Sequence, residues 1–306
     1  MTVNQHLCVI VGVLRSAMNT LSFVVHSLPP IMRRKHLFRT FIAVSIVAGF
    51  MFISAVGAGA EEEQLPDRFG LRLGGYNIRN ASNIMRLDST NGLIGTYIDF
   101  EKTLGGDTTA TVFRIDGFYR FNDHHSLSFS WYDIHLTGSR VLIQEFVWGG
   151  NTYTIGTQVD SELRFDVAKL SYQYSVYHND KVELGASIGL HVDHRTTGIS
   201  ASGISDAGSQ TITAPLAVLG LFANYNFTPS FSVYYNYQFF FFSYEDKFTG
   251  GLQDFLLGLE YRLFRNVGLG AAFNRFGADL KLVGNDKTLY IDTNWNGGML
   301  YAAVYF

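Results

Sequence analysis

The sequence is poor in charged residues, proline and cysteine. Of its 306 residues, 16% are charged, five are Pro and one is Cys, whereas soluble proteins carry about 25% charged residues. A single Cys excludes a disulfide framework and a cysteine-based metal site. Repeated apolar runs of about twenty residues are also missing, which excludes a protein with many membrane-spanning helices. The 26 Phe and 17 Tyr exclude intrinsic disorder.

The first sixty residues differ from the rest of the chain. They contain no Asp or Glu, and a basic cluster at residues 32–39 precedes an apolar stretch at residues 41–56. Small residues follow, with Ala58 and Ala60 at the positions that a signal peptidase reads. This layout predicts a secretory signal peptide that is cleaved after Ala60, with an uncleaved transmembrane anchor as the alternative.

The leader divides the chain into three expected parts. Residues 1–31 are expected to be an upstream extension from a misassigned start codon, residues 32–60 the signal peptide and residues 61–306 the mature protein. The mature part carries 18 of the 23 Lys and Arg, since five lie in the leader, and all 26 Asp and Glu. Its net charge is therefore −8. Cys8 lies in the leader, so the mature part has no cysteine.

From Phe69 onward, hydrophobicity alternates with a period of two residues, which indicates β-strands. In residues 231–241, for example, every odd position is apolar or aromatic, and the even face carries Ser232, Asn236 and Gln238. The segments are roughly 13 to 17 residues long, against about 5 to 6 in soluble strands, and aromatic residues crowd their ends. Short and long connections alternate. With low charge and 31 Gly, these features favour an all-β fold, a closed antiparallel transmembrane β-barrel, over a soluble sandwich.

The chain ends in a strand that alternates toward a terminal Phe. One face carries Leu300, Ala302, Val304 and Phe306, and the other carries Tyr301 and Tyr305. This strand resembles the C-terminal strand of Gram-negative outer-membrane β-barrel proteins, and the resemblance covers residues 61–306. It implies location in the outer membrane, surrounding outer-membrane lipid and lipopolysaccharide, and an assembly signal at Tyr301, Val304 and Phe306 that the barrel-assembly machinery recognises.

The alternating segments predict about twelve strands. Nine are assigned back from the C-terminus, at residues 109–121, 124–138, 161–178, 181–196, 211–227, 230–244, 248–263, 266–282 and 296–306. Because the C-terminus should lie in the periplasm, an odd number of strands must precede them. Residues 68–78, 82–90 and 93–102, the last two joined by an Asn-Gly turn at 91–92, would give twelve. Alternatively, only residues 68–78 span the membrane, residues 84–101 form an extramembrane hairpin, and the barrel has ten strands.

One segment breaks the alternation. In residues 163–177, Arg164 and Asp166 lie on even positions, but Lys169 lies on an odd one. A β-bulge near Ala168 would bring all three to the interior. Alternatively, the upper part of this strand leaves the membrane, where an apolar outer face is not required.

Polar side chains of both signs fall on the faces predicted to line the interior. They are Arg114, Asp116, Arg120, Arg164, Asp166, Glu183, His191, Asp193, Arg195, Asp254, Glu260 and Arg262. We favour an internal ion-pair network that neutralises these charges and fills a narrow barrel. The alternative is a polar conduit for small solutes.

The predicted function is a narrow passive channel or a structural envelope protein, and not an enzyme. One alternative is a lipid-modifying enzyme at the outer rim that uses His191 and Asp193. Another is a barrel that binds or adheres through the loops at residues 139–160 and 196–210. No ligand spacing indicates a metal or another cofactor. The lack of a phosphate-binding loop and the charge of −8 disfavour nucleic acid as a partner.

Overall fold

The computed structural model describes residues 67–89, 94–148, 151–201, 209–245, 247–284 and 287–306. The expected upstream extension, the signal peptide with Ala58 and Ala60, and the turn at 91–92 lie outside these residues. In chain order the elements are β1 (Phe69–Ser89), β2 (Ile98–Asp99), α1 (Phe100–Leu104), β3 (Ala110–Arg120), β4 (His125–Val141), β5 (Phe146–Trp148), β6 (Asn151–Tyr153), β7 (Gln158–His178), β8 (Val182–Ala201), β9 (Gln210–Thr228), β10 (Phe231–Tyr244), β11 (Phe248–Phe264), β12 (Val267–Val283) and β13 (Lys287–Tyr305).

Ten of these strands form one closed antiparallel sheet. The order around the ring is β1, β3, β4 and then β7 to β13, and β13 pairs back with β1. The predicted all-β, closed antiparallel barrel is confirmed. The favoured count of twelve strands is wrong, and the alternative count of ten agrees with the structure.

The number of strands differs from the prediction because β1 continues through residues that were expected to form two separate strands. Asn80 adopts a left-handed backbone conformation with φ 52°, and the register against β13 shifts between Arg79 and Ser82. This bulge absorbs one residue without reversing the chain. Strand β1 then continues along residues 287–294 of β13, so residue 82 does not begin a new strand.

Residues 98–104 form β2 and α1 in place of the predicted spanning strand. Strand β2 pairs with β1 at Ile84 and Met85. The Asp99 side chain caps α1 by accepting from the Lys102 N–H, and Gly105, with φ 70°, ends the helix, a common arrangement at helix ends. No helix in the described part of the chain has the length and hydrophobicity to cross a membrane.

The barrel has two different ends. The turn end carries the connections at residues 121–124, 179–181, 229–230 and 265–266. There the N–H groups of Arg68 and Phe69 donate to the Phe306 carbonyl at 2.9 and 3.0 Å, which joins the start of β1 to the chain terminus. The loop end carries β2, α1, β5 and β6. Strand β13 begins at Lys287, so the long connection expected before residue 296 is mostly strand.

Side-chain polarity inverts between the two ends. Near the turn end, β7 turns Leu170 and Tyr172 outward. Near the loop end the same strand buries Leu163 and Phe165 inside, and the Arg164 side chain is 55% exposed outside. Pairing of β7 with β4 and β8 passes through residue 168 without a shift. The predicted bulge near Ala168 is therefore wrong, and the upper part of the strand has exchanged the polarity of its two faces.

We call the apolar outer surface near the turn end the apolar belt. Its exposed members include Phe113, Tyr119, Trp131, Leu170, Tyr172, Ile188, Leu190, Leu219, Leu221, Phe227, Leu257, Leu259, Tyr261, Leu269, Phe273 and Leu300. On β9 the belt covers residues 217–227, and a bilayer crossing takes about 9 to 11 strand residues. From the belt toward the loop end, the first cross-strand pair of outward polar residues on β8 and β9 is His194 and Thr213. Their Nδ1 and Oγ1 atoms are 2.8 Å apart. This pair marks the polar boundary.

Candidate functional site

Ion pairs cross the barrel interior at the turn end. Arg120 of β3 donates from both terminal nitrogens to the Glu183 carboxylate of β8 at 2.8 and 2.9 Å. Glu183 also accepts from the Asn224 amide at 2.8 Å. At the same end, Arg262 of β11 donates to Asp67 at 2.6 Å. These charges are neutralised in pairs, as charges removed from water require.

A second group of polar contacts lies further along the barrel. The Nε of Arg72 on β1 donates to Glu260 of β11 at 2.8 Å. The Tyr301 hydroxyl donates to the same carboxylate at 3.1 Å, and so does the Tyr305 hydroxyl. The Arg72 guanidinium also lies 4.3 Å from the ring centre of Tyr234. The interior is thus bridged between strands that are not neighbours.

The middle of the interior holds a connected group of buried charges. Arg114 donates to Asp116 on its own strand at 2.9 Å. Lys169 of β7 is paired with Asp254 of β11, on the opposite side of the ring. Asp254 also accepts from the Asn274 amide at 2.6 Å. We call these pairs, together with those of Arg72 and Arg120, the interior network.

Aromatic and aliphatic side chains fill the interior above this network. The Phe276 and Trp295 rings stack with centroids 4.2 Å apart, and Phe165 meets Trp295 edge-on at 5.4 Å. Leu216 and Val218 of β9 are buried in the same core. We call this group the apolar plug. Because of the apolar plug, the interior of the barrel near the loop end resembles the core of a soluble protein.

His191, Asp193 and Arg195 share one face of β8, but they do not reach the outer rim. All three side chains are buried. The His191 ring lies 5.5 Å from the Phe276 ring, and Arg195 pairs with Asp193 at 3.4 Å beside the Phe165 ring. A reaction at the rim that uses His191 with Asp193 is not supported by these positions. No group of three or more potential metal-ligating side chains occurs among the described residues.

The long loop after β4 folds into the mouth of the barrel. Its strands β5 and β6 form a hairpin in which the Phe146 and Tyr153 rings stack at 4.7 Å. Trp148 of this hairpin is buried and lines a small cleft with Met85, Arg195 and Ile291. The described residues between β4 and β7, 142–148 and 151–157, therefore form a cap on the mouth, and residues 139–141 and 158–160 of the expected loop belong to β4 and β7. In the second expected loop, residues 196–201 belong to β8, and residues 202–208 lie outside the described part of the chain.

The segment with β2 and α1 seals the wall between β3 and β4. Direct pairing of these strands ends at Arg114 and Tyr132. Above this point, the Asp107 N–H donates to the Thr137 carbonyl at 2.9 Å, and the Asp107 carboxylate accepts from the Thr137 N–H at 3.0 Å. We call residues 98–107 the inserted segment. It supplies hydrogen bonds to β4 at the level where β3 no longer pairs with that strand.

Glu101 joins this segment to β1. Its carboxylate accepts from the backbone N–H and the side-chain amide of Asn83 at 2.9 and 2.7 Å. The side-chain amide oxygen of Asn83 accepts from the Thr293 hydroxyl at 3.0 Å. Burial raises the pKa of the Glu101 carboxyl, and the bonds from Asn83 partly oppose that rise.

We expect Glu101→Ala to loosen the inserted segment. The substitution removes the acceptor for two Asn83 donors, and leaving buried donors unpaired costs about 1–3 kcal/mol. Limited proteolysis of the folded barrel should cut residues 94–107 faster in this variant. Lys102→Ala is the matched control, because its side chain is 85% exposed on the same helix. Equal cutting rates in the two variants would contradict the role of Glu101.

The structure thus brings most of the predicted residues together and separates two of them. Arg164 and Asp166 were predicted to line the interior, and that prediction is wrong, because both lie on the outer face of β7. Arg164 pairs there with Asp133 at 2.6 Å, and Asp166 accepts from the Trp131 indole at 2.9 Å. The remaining charged candidates lie inside.

Sequence reasoning missed three interior groups. Arg72 lies between Leu71 and Leu73, and this alternation could have placed its side chain on the inner face. Asn274 interrupts the apolar run of β12 in the same way. The tyrosines Tyr76, Tyr132 and Tyr234 gave no such signal, because an aromatic residue fits either face of a barrel strand.

No protein-family model matches the chain, and no curated protein matches it in sequence. The solved structures that are similar to it include the outer membrane protease OmpT from Escherichia coli, with 10% identity, a TM-score of 0.44, and coverage of 80% of this chain and 99% of that chain. OprG from Pseudomonas aeruginosa has 12% identity, a TM-score of 0.34, and coverage of 78% and 95%. Ail of Yersinia pestis has 12% identity, a TM-score of 0.31, and coverage of 79% and 99%.

Proposed function

We propose that the mature chain is an integral β-barrel of the Gram-negative outer membrane with a closed interior, acting as a structural or surface-exposed envelope protein. The observation that carries the proposal is the filling of the barrel along its length. The interior network occupies the half inside the apolar belt, the apolar plug follows, and the cap covers the mouth. An open diffusion channel would need a continuous polar passage along the barrel. The apolar plug and the cap interrupt any such passage.

The apolar belt supports the membrane location. Its height on β9 matches the roughly 9 to 11 residues that a strand needs to cross a bilayer. The polar outer face above it would stand in water, because charged groups such as Arg164 and Asp133 do not belong against lipid tails. The partners in this proposal are outer-membrane lipid and lipopolysaccharide around the belt. The barrel-assembly machinery would recognise Tyr301, Val304 and Phe306.

Planar-bilayer recording tests the closed interior. Folded protein, verified by its heat-modifiable migration on a gel, is first shown to insert by co-flotation with phospholipid vesicles. The same preparation is then added to planar bilayers at high salt, and we expect no conductance steps. Reproducible steps from the folded wild-type protein would overturn the closed-barrel proposal and favour a narrow passive channel.

Cysteine labelling on intact cells should locate the membrane boundary. The sole cysteine of the chain is Cys8, so a single introduced thiol in the barrel is a clean probe. Thr211→Cys and Leu221→Cys both place it on the outward face of β9. A membrane-impermeant maleimide should label Thr211→Cys and leave Leu221→Cys unlabelled until the protein is denatured. Equal labelling of both positions before denaturation would contradict the proposed belt.

A further inference from the structure

Within the described residues, the barrel wall is open between β9 and β10 near the loop end, because the two strands are not paired there. Pairing of these strands begins at Thr228 with Phe231 and ends at Leu219 with Phe239. Strand β9 nevertheless continues to pair with β8 as far as Gln210. Among the described residues, positions 210–218 of β9 therefore have no strand partner on the β10 side. Pro215 lies in this stretch, and proline is confined to strand edges because it lacks an N–H.

The opening differs from the other place where neighbouring strands part. Between β3 and β4, the segment at residues 98–107 fills the wall with its own hydrogen bonds, such as those of Asp107 with Thr137. Between β9 and β10, no segment within the described ranges supplies such bonds. Within the described part of the chain, the edge of β9 at residues 210–218 is thus a row of backbone groups without strand partners on the β10 side.

Aromatic side chains of β10 are exposed at this opening. On the paired part of β10, the inward Tyr234 and Gln238 are 8% and 6% exposed, but Phe242 and Tyr244, on the same face, are 49% and 53% exposed. The Phe242 ring lies 6.1 Å from that of Phe248. The strand has not changed its orientation, so the exposure arises because β9 no longer covers these rings.

We call the space between residues 210–218 of β9 and residues 240–244 of β10 the lateral groove. Phe240, Phe242 and Phe248 line its β10 side. On its β9 side, Leu216 and Val218 point inward and are buried in the apolar plug, whereas the exposed outward residues at this level, Pro215 and Ala217, are apolar. The lower end of the groove is therefore bordered by apolar residues on both sides.

The lateral groove crosses the polar boundary. On the outer face of β8 and β9, the rows Leu190 with Ala217 and Val192 with Pro215 are apolar, and the next row is His194 with Thr213. The opening begins at residue 218, below these rows, and reaches residue 210, above them. Its lower part is thus continuous with the apolar belt, and its upper part lies at the level where lipid headgroups meet water.

We propose that the lateral groove binds an acyl chain of an outer-leaflet lipid. The chain lies against Phe240, Phe242 and Phe248, which removes these rings from water. The polar part of the lipid lies near Thr213, where it supplies hydrogen-bond partners to the unpaired β9 backbone. Such partners are needed because unpaired backbone groups at membrane depth are costly. The inference rests on the proposed membrane location.

An amphipathic occupant fits better than water or a peptide strand. Water would satisfy the backbone but leave the aromatic rings hydrated, at the usual cost of exposed apolar area. An added strand would pair with β9 along its whole edge, but its polar backbone would also lie against the rings of β10. A lipid at the boundary matches both the apolar lower part and the polar upper part.

Spin labels test which medium reaches the groove. Single cysteines replace Phe242 in the groove, Phe241 on the outer face of the same strand, and Ala278, which is buried on the inner face of the sealed wall at β12. Each labelled protein is reconstituted in dioleoylphosphatidylcholine vesicles. Collision of the label with oxygen, which concentrates in lipid, is compared with collision with a water-soluble nickel chelate.

We expect the Phe242→Cys label to match Phe241→Cys in collisions with oxygen and to exceed Ala278→Cys. A label at Phe242→Cys that collides with nickel instead would show a water-filled groove, and one as shielded as Ala278→Cys would show a covering protein segment. Either result would overturn the inference. If Phe241→Cys itself reports water, the membrane location has failed instead. Tyr244→Cys provides a second groove position if Phe242→Cys does not fold.

Retention of lipid provides an independent measurement. Native mass spectrometry of wild-type protein, released from dioleoylphosphatidylcholine-containing micelles, should show a lipid adduct. Phe242→Ala should weaken the adduct about tenfold by removing apolar contact area. Phe241→Ala, which points outward, should retain it. Equal retention in the two variants would place the bound lipid on the belt rather than in the groove.

Discussion

Replacing Lys169 with Met is expected to lower the free energy of unfolding by about 3–5 kcal/mol, because it leaves the charge of Asp254 buried without its partner. Lys169 and Asp254 reach across the barrel from β7 and β11, and their side chains are 8% and 5% exposed. Asp254 keeps the amide bond from Asn274, but an amide does not neutralise a carboxylate. The interior network would therefore lose its central ion pair.

Urea unfolding of the refolded barrel, followed by gel mobility, measures this cost. The matched control is Arg164→Met, which breaks the Arg164–Asp133 pair on the outer face. Since those side chains are 55% and 28% exposed, we expect a cost of about 0–1 kcal/mol. A loss for Lys169→Met no larger than that of this control would show that the interior pair is hydrated.

A double variant separates the two contributions to this loss. Lys169→Met with Asp254→Leu removes both charges, and replacing a buried ion pair by apolar groups is often neutral or stabilising. We therefore expect the double variant to be more stable than Lys169→Met alone. If its loss equals the sum of the two single losses, the residues do not interact, and the network does not hold the barrel in the way its contacts indicate.

The strands from residue 110 onward could be predicted from the sequence because a lipid-facing surface enforces alternation. Their bounds agree with the structure to within a few residues for β3 and for β9 to β12. The start of the barrel could not be predicted in the same way. The bulge at Asn80 shifts the alternation by one residue, and together with the Asn-Gly at 91–92 it produced the pattern of separate short strands.

The exchange of polarity along β7 explains the error at Arg164 and Asp166. Alternation shows that two faces differ, but it does not show which of them is inside. Lys169 and Phe165 both lie on odd positions, and this combination of a charge with a core ring on one face was the available clue. Contacts such as Arg120 with Glu183 join residues that are 63 apart in sequence, and no local pattern predicts that pairing.

The β9–β10 opening had one local signal in the sequence. Pro215 lies inside an alternating segment, and proline at that position argues for an unpaired edge. On β10, the run of four Phe at residues 239–242 ends the alternation of apolar and polar residues, but it does not indicate that β10 lacks a partner on its β9 side. Whether two strands remain paired over their full length depends on the curvature of the whole ring, which no single segment determines.

Phe165→Ala is expected to lower the free energy of unfolding by about 3–5 kcal/mol, the usual cost of truncating a buried aromatic residue. Phe165 is fully buried in the apolar plug, where it contacts Trp295 and the guanidinium of Arg195. The cavity left behind would be enclosed by protein and could not be filled by lipid. Urea unfolding in micelles measures the loss, with Leu170→Ala on the same strand as the control.

The control distinguishes the two possible orientations of β7. Leu170 lies on the apolar belt, so lipid or detergent tails would occupy the volume that its truncation vacates, and the loss should be clearly smaller than for Phe165→Ala. With a bulge at residue 168, Phe165 would face lipid as Leu170 does, and the two losses would be similar. Similar losses would thus refute the inverted polarity. A large loss at Phe165 alone, unchanged between detergents of different chain length, would show that the loop half is stabilised by a protein core.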